Sequence, residues 1–275
     1  MTIDGYFNSR ITIATGTRPF LPELPGTPQD TLPACIVACN MTAALVQCTT
    51  PLQDMKTFLA SCRWTQSLSP EELARVAAEM IERKVPAGGF VCRKGEPVES
   101  WIGVIDGLVK MSNLSADGKL TTLTGVPPGG WFGEGSLLKD KLRKYDIMAL
   151  RASRIAYMPR ATFERLLDSN LGFNRFLLVQ LNERLGQFIT LVESERLLEP
   201  DARVARSLSL LFNPVLYPGI GRQLQISQEE IGLLCGVSRQ RVNQALQVLE
   251  KAGVLRVEYG GVTVNDLPGL QGYGA

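Results

Sequence analysis

Residues 226–255 read ISQEEIGLLCGVSRQRVNQALQVLEKAGVL, and the organisation of the chain follows from this stretch. Ser227 and Glu230 make a Ser-x-x-Glu capping box that opens a short helix. Ile231, Leu234 and Val237 give that helix an apolar side. Gly236 falls where a tight interhelical turn needs a residue without a Cβ clash. Ser238 caps a second helix predicted over 239–252, with Gly253 just past its end. At about 100° per residue, Val242, Ala245, Leu246 and Leu249 fall on one side of this helix. Arg239, Gln240, Asn243, Gln244 and Gln247 fall on the other. Arg, Asn and Gln are the side chains whose geometry suits paired hydrogen bonds to guanine or adenine edges. Arg239, Gln240, Asn243 and Gln244 lie in the first two turns, where a recognition helix enters a major groove. Residues 255–257 and 262–264 flank Tyr259-Gly260-Gly261 as a small hairpin wing. A polar helix face alone is usually just solvated. Two caps, a turn glycine, a short first helix and a wing in one run point instead to nucleic acid.

Upstream, the stretch 171–198 carries Leu178, Leu181, Leu185, Phe188 and Val192 at steps of 3, 4, 3 and 4. That is the seam spacing of a coiled coil, and it predicts a long helix paired with its twin. A single helix packed on its own domain is the other reading of the same spacing. Glu199-Pro200-Asp201 ends this helix and starts another. From Val85 to Met158, short apolar runs are punctuated by Pro86-Ala87-Gly88-Gly89, Gly95, Asp106-Gly107, Asp117-Gly118 and Pro127-Pro128-Gly129-Gly130. Short strands at this spacing predict a sandwich or roll, with a hairpin at Asp117-Gly118. Before it, Ser69-Pro70-Glu71-Glu72 opens a helix whose stripe is Leu73, Val76, Ala77, Met80 and Ile81. Residues 1–50 are rich in Thr and Pro with few charges. They read as a largely disordered extension, or as the product of a start placed too far upstream. The expected fold is α+β, organised as 1–50 extension, 51–170 β-rich sensor, 171–199 dimerisation helix and 200–275 helix-turn-helix region.

Composition narrows the chemistry. The 275 residues are 45% hydrophobic, enough for packed cores, and the net charge of +2 is silent on nucleic acid. Histidine is absent from the sequence, so histidine general bases, histidine triads and histidine-ligated zinc are excluded. The six cysteines, at 35, 39, 48, 62, 92 and 235, are scattered, unlike a secreted disulfide framework. A reducing cytoplasm is the expected compartment. The most apolar early stretch, Ala34 to Cys48, is too short and too polar for a membrane span, and no membrane partner is expected.

The quoted residues resemble the cyclic-AMP receptor/fumarate–nitrate regulator superfamily over roughly 52–266. In the C-terminal part the likeness rests on 226–255. In the N-terminal part it rests on the glycines Gly95, Gly107 and Gly130, followed by Trp131-Phe132-Gly133-Glu134. The resemblance implies an N-terminal jelly-roll sensor resembling a cyclic-nucleotide-binding domain, a long dimerisation helix and a C-terminal winged helix-turn-helix. It implies a homodimer on palindromic double-stranded DNA, with RNA polymerase as a further partner. Base reading falls on Arg239, Gln240 and Gln244 with Asn243 beside them, and Ser238 meets a phosphate. Ser227, Gln228 and Arg241 complete the implied DNA-facing set.

Phe132-Gly133-Glu134-Gly135-Ser136 looks like the start of the family's phosphate-binding cassette. Gly133 and Gly135 would let the backbone approach an anion at the start of a short helix, and Glu134 could accept ribose hydroxyls. Without that context a Gly-Glu-Gly is an ordinary turn. Cyclic-nucleotide binders of the family place Arg, then Ser or Thr, ten positions after the Glu. Here those positions hold Lys144 and Tyr145, with Arg143 one residue early, and Lys is a point charge that cannot reproduce a bidentate contact. The Thr-Ser pair that reads adenine in the family would fall near Phe188 and Ile189, where only Thr190 is close. The effector therefore stays open: a cyclic nucleotide, another small anion, or none.

Two other classes compete. A regulatory module of a cyclic-nucleotide-controlled enzyme would keep the roll but not need Ser238 to Gln247, and the sequence offers no catalytic constellation for it. An iron–sulfur or redox sensor could use Cys35-x3-Cys39-x8-Cys48 with Cys62 or Cys92, although these spacings differ from the family's tight pattern. Buried or incidental thiols are the plainer reading, with Cys235 in the helix-turn-helix core. No metal ligand is assigned.

Overall fold

Asp54 accepts the Thr57 amide at 2.7 Å, which caps α1 (Met55–Ser61). The computed structural model describes residues 54–274 apart from 115, 116, 119 and 140, so the expectations for residues 1–50 lie outside the described residues. A 3-10 turn (Arg63–Ser67) leads to α2 (Pro70–Glu79). Its capping box is complete: the Ser69 hydroxyl accepts the Glu72 amide and the Glu72 carboxylate accepts the Ser69 amide, each at 3.2 Å. The helix is shorter than its apolar stripe suggests. Met80 is already extended, and Ile81 opens β1 (Ile81–Val85), because the first strand takes those residues to pair with the last strand of the roll.

The β-region follows as expected for a roll. Its strands are β1, β2 (Phe90–Cys92), β3 (Ser100–Asp106), β4 (Val109–Leu114), β5 (Leu120–Val126), β6 (Trp131–Phe132), β7 (Asp146–Ala149) and β8 (Ser153–Pro159), with α3 (Glu134–Leu138) after β6. They form two four-stranded antiparallel sheets, ordered β1-β8-β3-β6 and β2-β7-β4-β5. The Asp117-Gly118 turn joins β4 to β5, whose register runs from Val109 opposite Val126 to Leu114 opposite Leu120. Alternation along β3 splits its side chains between two cores. Ile102 and Val104 meet Val109, Met111, Phe132 and Ile147 in the core shared by the sheets. Trp101 and Ile105 turn to the other face, into an aromatic cluster with Phe58, Trp64, Trp131, Phe163 and Phe173. There Gly103 is obligatory, since a Cβ would sit 2.7 Å from the Trp131 ring.

Helices return with α4 (Arg160–Ser169) and the 27-residue α5 (Leu171–Leu197), which is about 40 Å long at helical rise. Pro200 sits in the first turn of α6 (Pro200–Leu210). Then come β9 (Gln223–Gln225), α7 (Gln228–Cys235), α8 (Arg239–Lys251), β10 (Leu255–Glu258), β11 (Gly261–Val264) and α9 (Leu267–Gln271). The expected two-strand wing has a third member: β9 pairs with β11 on the side away from β10. A three-residue strand of Gln-Leu-Gln has too little pattern to be seen in sequence. Among the described residues, no helix is long and apolar enough to cross a membrane.

Candidate nucleic-acid interface and sensor cleft

The helix-turn-helix is built by local hydrogen bonds. Ser227 accepts the Glu230 amide at 3.2 Å, and Glu230 returns a bond to the Ser227 amide at 2.7 Å. Gly236 adopts φ +67°, the left-handed conformation that lets α7 stop and α8 start within three residues. Ser238 accepts the Arg241 amide at 3.3 Å. Val242, Ala245, Leu246 and Leu249 are buried against Val204, Leu208, Ile231 and Leu255. Arg239, Gln240, Asn243, Gln244 and Gln247 are exposed, as the helical projection requires. Gln228 donates to Asn243 at 3.3 Å and so shares this face. Arg241 differs from its neighbours. It is half-buried, pairs with Asp201 of α6 at 2.9 Å and donates to Gln244 at 3.2 Å, so a DNA contact from it requires that pair to open. Cys235 is buried in the same core, and burial pushes its thiol up to about 11.

The second site lies where β6 and α3 meet α5. Gly133 caps α3 with φ +95°, and a Cβ there would run into the Arg143 guanidinium. Glu134 is 2% exposed, with the Trp101 indole N–H donating to it at 3.4 Å. Phe132 is in the shared core and Ser136 is buried, while Gly135 has open space around its Cα. The three residues expected after α3 separate. Arg143 is buried and donates to the Ser100 carbonyl at 2.8 Å, whereas Lys144 is exposed. Burial first, then the Glu134 charge, pushes the Tyr145 phenol well above its usual range.

Sequence reasoning missed the partner of Glu134. Arg184 of α5 stands 3.4 Å from the Glu134 carboxylate and donates to the Trp131 carbonyl at 2.7 Å. Burial alone would lower its pKa, but Glu134, then Tyr217 and Tyr145, hold it up. Arg184 belongs to a polar stripe. Gln180 is 2% exposed, Arg184 7% and Gln187 4%, with Ser194 also buried further along. The available signal was the 4, 3 spacing of 180, 184 and 187, which runs beside the apolar seam at the same period. The seam itself is the outward face: Leu178 is 68% exposed, Leu185 59% and Val192 48%, with Leu181 and Phe188 half-buried. Four guanidinium or amide atoms between the roll and α5, Arg143 Nη1, Arg184 Nε and Nη1, and Gln187 Oε1, are buried with no hydrogen-bond partner, although Arg184 Nε is the atom that faces Glu134. Cys62 and Cys92 are buried at separate places, their thiols pushed up by burial to about 12 and about 11. Cys35, Cys39 and Cys48 lie outside the described residues.

The two regions each match a known family. Residues 82–170 match the cyclic nucleotide-binding domain, and residues 202–273 match the Crp-like helix-turn-helix domain. The cAMP-activated global transcriptional regulator CRP of Pasteurella multocida is 30% identical over 171 residues, covering 61% of this chain and 81% of that relative. The CRP-like cAMP-activated global transcriptional regulator of Mycobacterium tuberculosis is 26% identical over 215 residues, covering 77% of this chain and 96% of the relative. Among solved structures, FixK2 from Bradyrhizobium japonicum shares the fold with a TM-score of 0.58 at 19% identity, covering 71% of this chain and 98% of that one. With a roll matching the cyclic nucleotide-binding domain, a long helix and a Crp-like helix-turn-helix in one chain, the protein belongs to the cyclic-AMP receptor/fumarate–nitrate regulator superfamily and is a DNA-binding transcription regulator.

Proposed function

We propose that the protein is a cytoplasmic homodimer that reads a palindromic operator with α8 of each copy and responds to a small anionic effector held between the roll and α5. The observation that carries this reading is the pair of unpartnered surfaces. The polar face of α8 is exposed in its first two turns, and three of the five seam residues of α5, Leu178, Leu185 and Val192, are exposed. A polar face of Arg, Gln and Asn suits base edges, with Ser238 at a phosphate. An apolar stripe at coiled-coil spacing suits a second copy of itself. Pairing α5 with its twin would present two α8 helices to two half-sites, which linked binding strengthens. RNA polymerase is the further partner expected of such a regulator.

The effector class follows from charge. Arg143 Nη1 and Arg184 Nη1 are buried without a hydrogen-bond partner, and a phosphate or a carboxylate would supply one. The curated relatives named above are described as cAMP-activated, so cyclic AMP is the first probe. Selection of duplexes from a random pool by the full chain, with sedimentation of the free protein, tests the DNA half. Recovered sites should be two-fold symmetric and the protein dimeric. Sites without symmetry, or a monomer at micromolar concentration, would refute it. A thermal-shift screen with cyclic AMP, cyclic GMP and small acids tests the effector half, because a ligand specific for the folded state raises the melting temperature.

A further inference from the structure

The segment joining α6 to β9 leaves its own region. Leu208, Leu211 and Leu224 on either side of it pack in the helix-turn-helix core, but Leu216 and Tyr217 pack in the core shared by the two sheets of the roll. Tyr217 is 1% exposed. Its ring lies on Gly130, where a Cβ would stand 2.9 Å away. Its hydroxyl donates to the Gly125 carbonyl at 3.1 Å and accepts from Gln187 at 3.4 Å. The segment is shaped to deliver this ring. The Asn213 side-chain oxygen accepts the Val215 and Leu216 amides, both at 2.9 Å, and its amide donates to Glu183 at 2.9 Å. Pro214 and Pro218 restrict the backbone on both sides of the ring.

Glu183, Arg184 and Gln187 therefore occupy one turn of α5 and do two things. Arg184 faces Glu134, while Glu183 and Gln187 hold the tyrosine segment. Protein interiors have no spare room for a second group where one is already packed. We propose that Tyr217 is a built-in occupant of the space between the roll and α5, supplied by the DNA-binding region, and that an effector entering there displaces it and loosens that region from the roll. This rests on the effector reading above. The docked state has its own ties, chiefly Arg151 of the roll paired to Glu230 of α7 at 2.8 and 2.9 Å, and Thr122 donating to the Leu233 carbonyl at 2.8 Å. It also leaves Gln187 Oε1 and Arg184 Nη1 without a hydrogen-bond partner, a cost that an effector with matching groups would remove.

Full-length Tyr217→Gly and Tyr217→Phe test this against the parent. Two readouts need no effector: the rate of tryptic cutting between Arg196 and Arg222, and the Kd for a duplex selected with the parent. Tyr217→Gly should be cut about fivefold faster and its Kd should move by about fivefold, with added phenol restoring both toward parental values by refilling the space. Tyr217→Phe, which keeps the ring, should stay within about twofold of the parent. A folded Tyr217→Gly with parental cutting and parental DNA affinity overturns the proposal. Cyclic AMP, cyclic GMP and inorganic phosphate, titrated into both proteins, separate the two readings. A probe that binds Tyr217→Gly about tenfold tighter than the parent supports both. A probe that binds both proteins equally overturns the displacement and leaves the effector reading standing. If none binds, phenol-reversible cutting keeps the plug while the effector reading falls. If Tyr217→Gly does not fold, Asn213→Ala, which frees the segment and keeps the ring, is put through the same measurements.

Discussion

Helices α5 and α8 use amphipathicity in opposite senses. In α8 the apolar side, Val242 to Leu249, is buried and the Arg, Gln and Asn side is exposed. In α5 the polar stripe of Gln180, Arg184 and Gln187 is buried, and Leu178, Leu185 and Val192 are exposed. The α8 arrangement is the ordinary one, and its polar face costs nothing to leave in water. The α5 arrangement is costly on both faces unless each has a partner. The buried face has Glu134, the Trp131 carbonyl, Thr124 and Tyr217. In the proposed dimer, the exposed face meets the same face of the twin helix. The contrast teaches that the outward side chains of α8 are tied at most by surface pairs such as Gln228–Asn243 and Arg241–Asp201, whereas those of the inward stripe of α5 act through buried partners.

The sharpest way to break this contrast is Arg184→Ala. Removing one member of a buried pair leaves the Glu134 carboxylate without its guanidinium partner, and should cost about 3–5 kcal/mol in urea unfolding. Restoring neutrality with Glu134→Gln in the same chain should recover part of that loss, and a parental unfolding midpoint for the single variant would show that the stripe carries no such coupling. Next is Leu185→Asp, which should weaken self-association by about two orders of magnitude while leaving the fold intact. Sedimentation of a dimer at parental strength would take the seam out of the proposal. Arg239→Ala should lose about 1–3 kcal/mol of DNA affinity and relax preference at one base position per half-site; equal affinity and selectivity would remove it from the readers. Ser238→Ala should cost about 1 kcal/mol of stability through the lost cap, read by thermal unfolding. Gln247→Ala, on the exposed face beyond the second turn, should change stability by no more than about 0.5 kcal/mol, and a larger loss would mean that face is not simply solvated.

Much of the DNA-reading unit was legible because each signal is short-range. Both capping boxes, at Ser69 and Ser227, and the turn at Gly236 form as their spacing predicts. The roll was legible from its glycines, although the strand edge at Ile81 was masked by a helical stripe that ran two residues too far. The sensor cleft was legible only in part. Glu134 was identified, but its charge partner lies fifty residues on, in a helix whose apolar and polar stripes share one period. Periodicity reveals that 171–197 is helical; it does not say which stripe faces inward. The counted spacing after Glu134 put Lys144 at the expected cation position, yet Arg143 is the buried cation and Lys144 is exposed.

By itself the sequence determined the capped starts of α2, α7 and α8, the two-part organisation and the outward polar face of α8, because caps, turns and face projections are settled within a few residues along the chain. Tertiary structure alone decided that Arg184 turns inward to Glu134, that Arg143 is buried and Lys144 is not, and that Tyr217 crosses from the DNA-binding region into the roll. Burial is the sum of contacts between segments distant in sequence, and nothing in the local spacing of those residues encodes which neighbours they will meet.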